Sequence, residues 1–255
     1  MANSKFSTGL LHRKSDVSAP LLTSYGQSNE DLFAEAHFFH NLHNGTFLEL
    51  GALDGNLYSN TKLFEDQRGW RGVLVEPNRE EFEKIPAYRP EAIAVHAAIC
   101  AQSRNVHFVS RRTHKRTSES AGGLGGIWEF MAESFQKRWY GTDILPEDAE
   151  VVPCVSLGSI LRTFGLSQID FFSLDVEGAE LEVLRTLDLS ALHFNVIAIE
   201  QDGQNPIKDQ AVREYLLADN YDLYDAHISD DTYALAGSRN DWFVNKRFRP
   251  SKATA

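Results

Sequence analysis

Apolar residues recur along the chain with two periods, which predict alternating strands and helices. Short apolar runs that are typical of strands lie at 46–50, 72–76, 92–99, 105–110, 151–157, 169–175, 195–200, 221–228 and 241–245. Stretches predicted as helices, the first with apolar side chains at three-to-four spacing, lie at 30–43, 60–67, 78–85, 158–164, 179–187 and 207–218.

Strands that alternate with helices of about ten residues indicate stacked β-α-β units. Such units build a mainly parallel sheet that is covered by helices on both faces. The runs at 221–228 and 241–245 follow one another without an intervening helix, so we expect an antiparallel pair at one edge of the sheet. The pattern therefore predicts a doubly wound α/β fold.

The same pattern predicts a single folded unit with two irregular parts. No linker divides the middle of the chain, so we expect one domain over residues 23–250. Residues 1–22 are polar and patternless, which indicates a loosely ordered tail. Residues 111–150 contain a basic cluster, the sequence AGGLGG and an aromatic-rich patch. We expect this segment to form a flap or an insertion.

Composition and charge limit the partners of the chain. The formal charge is −11, from 36 acidic and 25 basic residues, and it opposes general binding to a nucleic-acid backbone. No apolar run reaches transmembrane length, and the first residues lack the apolar core of a signal peptide. Cys100 and Cys154 cannot build a disulfide framework. We therefore expect a soluble protein of a reducing compartment, the cytoplasm.

Acidic residues recur where the predicted strands end. Glu49, Glu76, Asp175 and Glu200 each lie near the carboxyl end of a different predicted strand. In an open α/β sheet, ligands bind beside these ends. Because an unpartnered carboxylate is costly to bury, these positions predict a ligand site.

The turn after the first strand indicates which ligand binds there. Gly51 lets a ligand approach the backbone, and a carboxylate at Glu76 can accept hydrogen bonds from both ribose hydroxyls. The dinucleotide fingerprint G-x-G-x-x-G is absent, and Glu49 and Asp54 would repel a pyrophosphate. Their charge suits the ammonium and sulfonium groups of S-adenosyl-L-methionine (SAM). On this interpretation, Glu49 binds the amino-acid end of SAM.

Three stretches resemble the FkbM family of SAM-dependent methyltransferases: FLELGALDGNLYSNT (47–61), GWRGVLVEPN (69–78) and IDFFSLDVEGAELEVL (169–184). Their order and spacing also match the family. The resemblance implies a Rossmann-like class I methyltransferase fold with a mainly parallel seven-stranded sheet. It also implies methylation of a hydroxyl on a carbohydrate, such as a glycan or sugar nucleotide, or on a related natural product.

The resemblance further implies roles for individual residues. The first cofactor loop would comprise Glu49, Gly51, Ala52, Asp54 and Gly55, with Asn60 and Thr61 bracing it. Glu76 and Pro77 would lie at the ribose, and Ala97 and Ala98 at the adenine. His96 departs from the Asn that the family often has there, and Leu53 occupies the middle position of its glycine turn. Asp175 and Glu177 would border the methyl group and the acceptor.

A hydroxyl acceptor is a poor nucleophile, so the reaction needs a general base or a metal ion that lowers the hydroxyl pKa. Asp175 is the first candidate for the base. His227, at the end of a predicted strand, is the second. As an alternative, Asp175, Glu200 and Asp202 would share a divalent cation such as Mg²⁺.

Structural explanations remain open for several of these features. Gly51 and Gly55 also suit a tight turn. Asp175 and Glu177 also suit the N-terminus of the helix that follows them. Glu180 is expected on a solvated helix face. The basic cluster either forms a solvated loop or binds an anionic acceptor; it comprises Arg111, Arg112, His114, Lys115 and Arg116. Three aromatic residues either stack on sugar rings or pack under a flap: Trp128, Trp139 and Tyr140.

Two other functions are compatible with a sheet of this kind. One is a catalytically silent SAM-binding or nucleoside-binding member that acts as an interaction protein. The other is an NAD-dependent oxidoreductase, against which the absent phosphate-binding glycines argue. Binding of SAM without any methylated product would identify the first, and binding of NAD would identify the second.

Overall fold

The protein is described here from a computed structural model for residues 22–110, 125–141, 144–201, 205–225 and 239–249. The expected tail before residue 22 and the basic cluster at 111–116 lie outside these ranges. Asp202, His227 and the side chain of Trp139 also lie outside the described part.

Helices and strands alternate through the described residues. The α-helices are α1 (Glu30–Ala34), α2 (Lys62–Arg68), α3 (Arg79–Phe82), α4 (Ile85–Tyr88), α5 (Glu133–Tyr140), α6 (Leu157–Thr163), α7 (Glu180–Leu184) and α8 (Pro206–Leu217); a π-helical turn (Glu35–Phe39) continues α1. The strands are β1 (Thr46–Leu50), β2 (Arg71–Val75), β3 (Ile93–Val95), β4 (Ala98–Ile99), β5 (Arg104–Ser110), β6 (Gly125–Ile127), β7 (Glu150–Val155), β8 (Gln168–Leu174), β9 (His193–Glu200), β10 (Tyr221–Tyr224) and β11 (Asn240–Asn245). None of these helices is both long and apolar enough to cross a lipid bilayer.

Seven strands form the central sheet in the order β10-β11-β9-β8-β1-β2-β3. The pairs from β9 to β3 are parallel, whereas β11 runs antiparallel to both β9 and β10. The predicted doubly wound, mainly parallel sheet with an antiparallel edge pair is confirmed. The chain leaves β1 toward β2 on one side and later returns to place β8 on the other. The strand order therefore switches beside β1, where open sheets bind ligands.

Helices cover both faces of the central sheet, so successive strand residues enter different cores. Phe171 packs into an aromatic-rich layer with α1 and α2, whereas Phe172 packs into an aliphatic layer with α6, α7 and α8. Strands that are buried on both faces are nearly continuous apolar runs. This property explains why the hydrophobic pattern identified the central strands.

A second sheet has the order β4-β7-β5-β6. The prediction of one strand over 92–99 was wrong, because β3 pairs with β2 in the central sheet and β4 pairs with β7 in the second one. Both pieces are apolar, so the pattern carries no sign that the pairing partner changes. The second sheet and α5 also give regular structure to described parts of the segment that was expected to be irregular.

The two cysteines meet in this second sheet, and their sulfur atoms are bonded to each other. Their Cα atoms are 5.8 Å apart. Cys154 lies in β7 opposite Ala98, and Cys100 directly follows β4. A disulfide was not expected from a pair of cysteines assigned to a reducing compartment. Sequence spacing could not reveal it, since the pairing depends on how two distant strands associate.

Hydrogen bonds to a buried carboxylate fix the loop that follows β1. Glu49 shares a strand face with Phe47, and its side chain is almost fully buried. The carboxylate accepts hydrogen bonds from the hydroxyls of Ser59 and Thr61 and from the backbone N–H of Asn60, over distances of 2.8, 2.6 and 2.8 Å. The far end of the loop is thereby tied to the end of the strand.

Arg89 supplies the positive charge of this buried network. Its side chain is fully buried, and its Nε donates to Glu65 over 2.6 Å. One terminal nitrogen donates to the carbonyl of Gly55 over 3.2 Å and lies 3.8 Å from the Glu49 carboxylate. Glu49 and Glu65 would lose their counter-ion together if this side chain were removed.

We expect Arg89→Ala to lower the free energy of unfolding by about 3–5 kcal/mol, because it leaves two buried carboxylates without a counter-ion. Denaturant unfolding measures the change. The control is Arg71→Ala, which breaks the pair with Glu91, whose two side chains are 71% and 66% exposed. The control should cost less than about 1 kcal/mol. Equal losses in both variants would contradict a structural role for the buried network.

Candidate active site

A cavity of about 340 Å³ opens at the carboxyl ends of the central strands, beside the switch in strand order. Gly51, Glu76, Asp175 and Glu200 line it from the positions that follow β1, β2 and β8 and from the end of β9. The second sheet completes part of the lining with Phe108, Ser110, Gly125, Gly126 and Ile127. The cavity therefore lies between the two sheets.

The end of β1 comes into close contact with the end of β8, and only glycine permits it. Gly51 has a φ of 78°, and a Cβ atom there would overlap the carbonyl oxygen of Asp175. The backbone of Gly51 is thus exposed to the cavity beside Asp175. A tight turn alone would not require this contact.

Glu76 is a buried carboxylate at the end of β2. One oxygen accepts a hydrogen bond from the backbone N–H of Leu53 and the other from that of Asn78, both over 2.7 Å. Burial raises the pKa of Glu76 to about 8, against the opposing effect of these two bonds. Each carboxylate oxygen retains acceptor capacity toward the cavity.

Three non-glycine residues on two cavity loops have left-handed backbone conformations. Leu53, Tyr58 and Glu177 have φ values of 48°, 59° and 51°, and all three line the cavity. Conformations of this kind cost about 1–3 kcal/mol each and concentrate at functional sites. Leu53 occupies the middle position of the expected glycine turn. Its backbone conformation is one that a glycine would adopt more easily.

The wall beside β3 and β4 is apolar. Ala97, Ala98 and Ile99 line the cavity there, together with Pro77 from the end of β2. His96 is not part of the lining. Its Nε2 lies 2.9 Å from the carbonyl oxygen of Pro77, so the imidazole supports the wall rather than forming it.

Three carboxylates meet at the ends of β8 and β9. Oxygen atoms of Asp175, Glu177 and Glu200 lie within 4.8 Å of one another, and all three residues line the cavity. Removal from water raises the pKa of Asp175 well above its ordinary value, and the charges of Glu200 and Glu177 raise it further. Asp175 therefore retains a proton at a pH where an exposed aspartate has lost it.

The carboxylate cluster can exchange a proton with a bound group, and its oxygen atoms are also of the type that Mg²⁺ prefers. Asp175 and Glu200, two of the three predicted metal candidates, are brought together. Asp202 lies outside the described residues, as does His227, the second candidate for the base. The third member of the cluster is Glu177, which the metal hypothesis did not include.

Glu180 was expected on a solvated helix face, and this expectation was wrong. Its side chain is 3% exposed and lies 2.8 Å from the ammonium nitrogen of Lys208, which is 12% exposed. Its other oxygen accepts a hydrogen bond from the backbone N–H of Gly178 over 3.0 Å. The first turn of α7 is buried against α8, so the helix period points Glu180 inward.

Several residues predicted to bind the cofactor do not line the cavity among the described residues. Glu49 is enclosed by its own hydrogen bonds, and Ala52 belongs to the aromatic-rich core. Asp54 accepts from the backbone N–H groups of Asn56 and Leu57, and Gly55 packs against Arg89. These residues stabilise the loop on the side away from the cavity, whereas Gly51, Leu53 and Asn60 line the cavity.

The aromatic patch near 128–140 packs internally in its described part. Trp128 and Tyr140 are buried and meet edge to face, with ring centroids 5.7 Å apart. The Tyr140 hydroxyl donates to the carbonyl of Val109 over 3.3 Å. These two residues therefore pack internally, and neither lines the cavity.

Sequence reasoning missed several polar residues at the cavity, four of which come from two distant segments. Gln27 and Glu30 come from the segment before α1 and from its first residue, and Arg239 and Asn240 come from the beginning of β11. Polar residues are common at element ends for capping alone, so their type gave no signal. The sequence also contains no hint that these two distant segments meet.

The chain matches the family described as the methyltransferase FkbM domain over residues 49–223. No curated protein matches the sequence. Similar solved structures include fibrillarin from Aeropyrum pernix in complex with natively bound SAM, at 11% identity and a TM-score of 0.41, covering 84% of this chain and 71% of that one. A TehB-like SAM-dependent methyltransferase from Corynebacterium glutamicum has 10% identity and a TM-score of 0.39, with 85% and 87% covered.

Methyltransferase FkbM from Methylobacillus flagellatus has 11% identity and a TM-score of 0.45, covering 79% of this chain and 43% of that one. Structural likeness at this level assigns no role to any residue. The family match is different in kind, because it extends over more than half of the 255 residues and includes the turn after β1, the end of β2 and the carboxylates after β8. This chain belongs to the FkbM methyltransferase family.

Proposed function

We propose that the chain transfers a methyl group from SAM to a hydroxyl of a carbohydrate acceptor. The observation that carries the proposal is that one cavity contains both the buried carboxylate of Glu76 and the cluster of Asp175, Glu177 and Glu200. The first group suits a ribose diol, and the second suits removal of a proton from a hydroxyl. The family membership favours this function over an NAD-dependent oxidoreductase.

The residues at the ends of β1, β2 and β3 fit the nucleoside part of the cofactor. Glu76 has acceptor capacity for the two ribose hydroxyls beyond its two backbone hydrogen bonds. Ala97, Ala98 and Ile99 offer an apolar wall against which a purine ring can pack. When bound, SAM supplies an electrophilic methyl group on a sulfonium. The surrounding carboxylates favour that positive charge.

Asp175 is proposed to accept the proton of the acceptor hydroxyl. Methyl transfer is an in-line displacement, so the protein has to align the oxygen, exclude water and remove its proton. A raised pKa makes the ionised form of Asp175 a stronger base than an ordinary aspartate. The hydrogen bond between Asp175 and Glu200 then distributes the proton over the pair.

The acceptor is proposed to be a carbohydrate because neighbouring hydroxyls can donate to neighbouring carboxylates. Glu177 and Glu200 flank Asp175 and can orient hydroxyls adjacent to the reacting one. The same carboxylates repel a phosphate at this end of the cavity. An anionic acceptor would depend on the basic cluster at 111–116, which lies outside the described residues.

The proposal is tested by calorimetric titration of the protein with SAM, its demethylated product S-adenosylhomocysteine, and NAD. Binding of the first two without NAD supports the proposed cofactor, and a methylated carbohydrate then supports the reaction. Binding of SAM without turnover of any carbohydrate would instead favour a silent binding protein. Failure of SAM and its product to bind would overturn the proposal.

A divalent cation is a second candidate occupant of the carboxylate cluster, since its oxygens lie within 4.8 Å of one another. A cation there would lower the pKa of the acceptor hydroxyl. We expect chelation to abolish turnover and added Mg²⁺ to restore it if the cluster binds a cation. Turnover that is unaffected by chelation would leave proton transfer to Asp175 as the sole proposal for the cluster.

We expect the affinity for adenosine to rise as the pH increases through the pKa of Glu76, about 8, and to level off above it. The ionised carboxylate accepts both ribose hydroxyls, and it predominates only above that pKa. Titration of adenosine between about pH 6 and about pH 9 measures the effect, because adenosine itself does not change charge there. Glu76→Gln should bind more weakly and without this pH dependence. An unchanged pH profile in that variant would contradict the ribose assignment.

The raised pKa of Glu76 also makes the stability of the unliganded protein depend on pH. This dependence has the opposite sign to that of the affinity for adenosine. Folded Glu76 holds its proton more tightly than unfolded Glu76, so its contribution to stability is present at acidic pH. That contribution is lost as the pH rises through about 8.

We expect Asp175→Asn to abolish methyl transfer while the affinity for S-adenosylhomocysteine changes little, because the amide keeps the shape but cannot accept a proton. Turnover and calorimetric titration provide the two readouts. Glu182→Gln is the matched control, since this α7 carboxylate is 40% exposed and lies outside the cavity lining. A turnover of the Asp175 variant similar to that of the control would refute the proposed base.

A further inference from the structure

We propose that the segment Gly26–Glu30, together with Asn60 and Arg239, binds the amino-acid end of the cofactor. This inference rests on the proposed SAM-dependent function and assigns a part of the cavity that the nucleoside does not explain. The segment contributes Gln27 and Glu30 to the lining, and β11 contributes Arg239 beside them. These side chains match the two charges of an amino acid, an ammonium and a carboxylate.

The segment is held firmly in place before any ligand binds. Asp31 is fully buried and accepts hydrogen bonds from the Ser24 hydroxyl over 2.6 Å and from the backbone N–H of Tyr25 over 2.7 Å. Gly26 pairs with Tyr58 in an isolated β-bridge, which joins the segment to the loop after β1. The segment is therefore a preorganised wall, and preorganisation reduces the entropy that binding costs.

Two acceptor oxygens in this wall suit an ammonium group. Asn60 donates from Nδ2 to the Ser173 hydroxyl over 3.0 Å, and its buried Oδ1 has no hydrogen-bond partner among the described residues. Glu30 is 5% exposed, and its Oε2 accepts from the backbone N–H of Ser28 over 2.7 Å. Both oxygens come near Gly26, because a Cβ atom added there would lie 2.8 Å from the Glu30 oxygen and 3.0 Å from the Asn60 oxygen. The two oxygens are therefore close enough together for one ammonium group to contact both.

The orphaned Asn60 oxygen points to a ligand. A buried acceptor without a donor costs about 1–3 kcal/mol, so such an atom in a native structure calls for a specific donor from a ligand, an ion or an ordered water. An ammonium donates three hydrogen bonds, so it can satisfy Asn60 and pair with the Glu30 carboxylate at the same time. Glu49, the residue expected in this role, has no access to the cavity because Ser59, Asn60 and Thr61 occupy its oxygens.

Arg239 and Gln27 suit the carboxylate of the amino acid. Among the described residues that line the cavity, Arg239 carries the one positively charged side chain. Its guanidinium donates to the Ser28 hydroxyl over 3.1 Å, which places it against the segment that holds Glu30. A guanidinium has further donors in a planar fork that matches a carboxylate, and the side-chain amide of Gln27 can donate as well.

The experiment separates the two halves of the cofactor by comparing S-adenosylhomocysteine, which has the amino-acid end, with adenosine, which lacks it. We expect Arg239→Ala and Glu30→Gln each to weaken binding of S-adenosylhomocysteine by about tenfold or more, as for a lost charge-assisted hydrogen bond. Their affinity for adenosine should stay within about twofold of the wild type. Arg185→Ala, an exposed α7 arginine outside the lining, is the control and should change neither affinity.

Each other outcome would overturn the inference in a distinct way. Equal weakening of both ligands in Arg239→Ala would mean that the wall acts through the fold or the ribose. Unchanged binding of both ligands would mean that the amino-acid end lies elsewhere. Wild-type protein that binds neither ligand would remove the proposed cofactor itself. Because Arg239 is exposed, loss of folding is not expected in its variant, and a thermal melt checks this directly.

Discussion

The arrangement around β1 depends on one constraint, the burial of the Glu49 and Arg89 charges beneath the sheet. Neither charge is stable in an apolar layer without its partner groups, so the loop from Gly51 to Thr61 has to bring its hydroxyls and backbone to them. The loop conformation that satisfies Glu49 is also the one that presents Gly51, Leu53 and Asn60 to the cavity. Contacts on the opposite side of the loop thus offset the free energy of the strained backbone at Leu53.

The cavity concentrates carboxylates in a place with little water. Five of its described lining residues are acidic: Glu30, Glu76, Asp175, Glu177 and Glu200. Desolvation is the main cause of the raised pKa values of Glu76 and Asp175. At Asp175 the neighbouring charges of Glu200 and Glu177 raise the pKa further, so these carboxylates repel one another. A cationic ligand relieves this repulsion. On the proposed function, the positive charge that makes the methyl group reactive also relieves the repulsion between these carboxylates.

The sequence predicted well those features that follow from local periodicity or from a residue at a strand end. The central strands are apolar on both faces, so their runs were visible, and Glu76 and Asp175 were placed in the site because strand ends meet at one edge. The predictions that were wrong depended on which face of an element a side chain occupies, or on which distant segments of the chain pair. Alternation along β1 sends Glu49 to the face that α1 and α2 cover, together with Phe47, and its position near the strand end obscured this consequence. The change of sheet between β3 and β4, the meeting of Cys100 with Cys154 and the inward face of Glu180 all depend on tertiary contacts.

The wall formed by Ser28 and Arg239 joins parts of the chain that are 211 residues apart. Contacts of such separation form late, because the entropy of closing a long loop has to be offset by structure that already exists. During synthesis, the sheet from β1 to β9 can assemble before β11 leaves the ribosome, but this wall cannot. A partly synthesised chain would therefore have the part of the cavity that Glu76 lines without the part that Arg239 lines. The cavity is therefore complete only when the rest of the fold has formed.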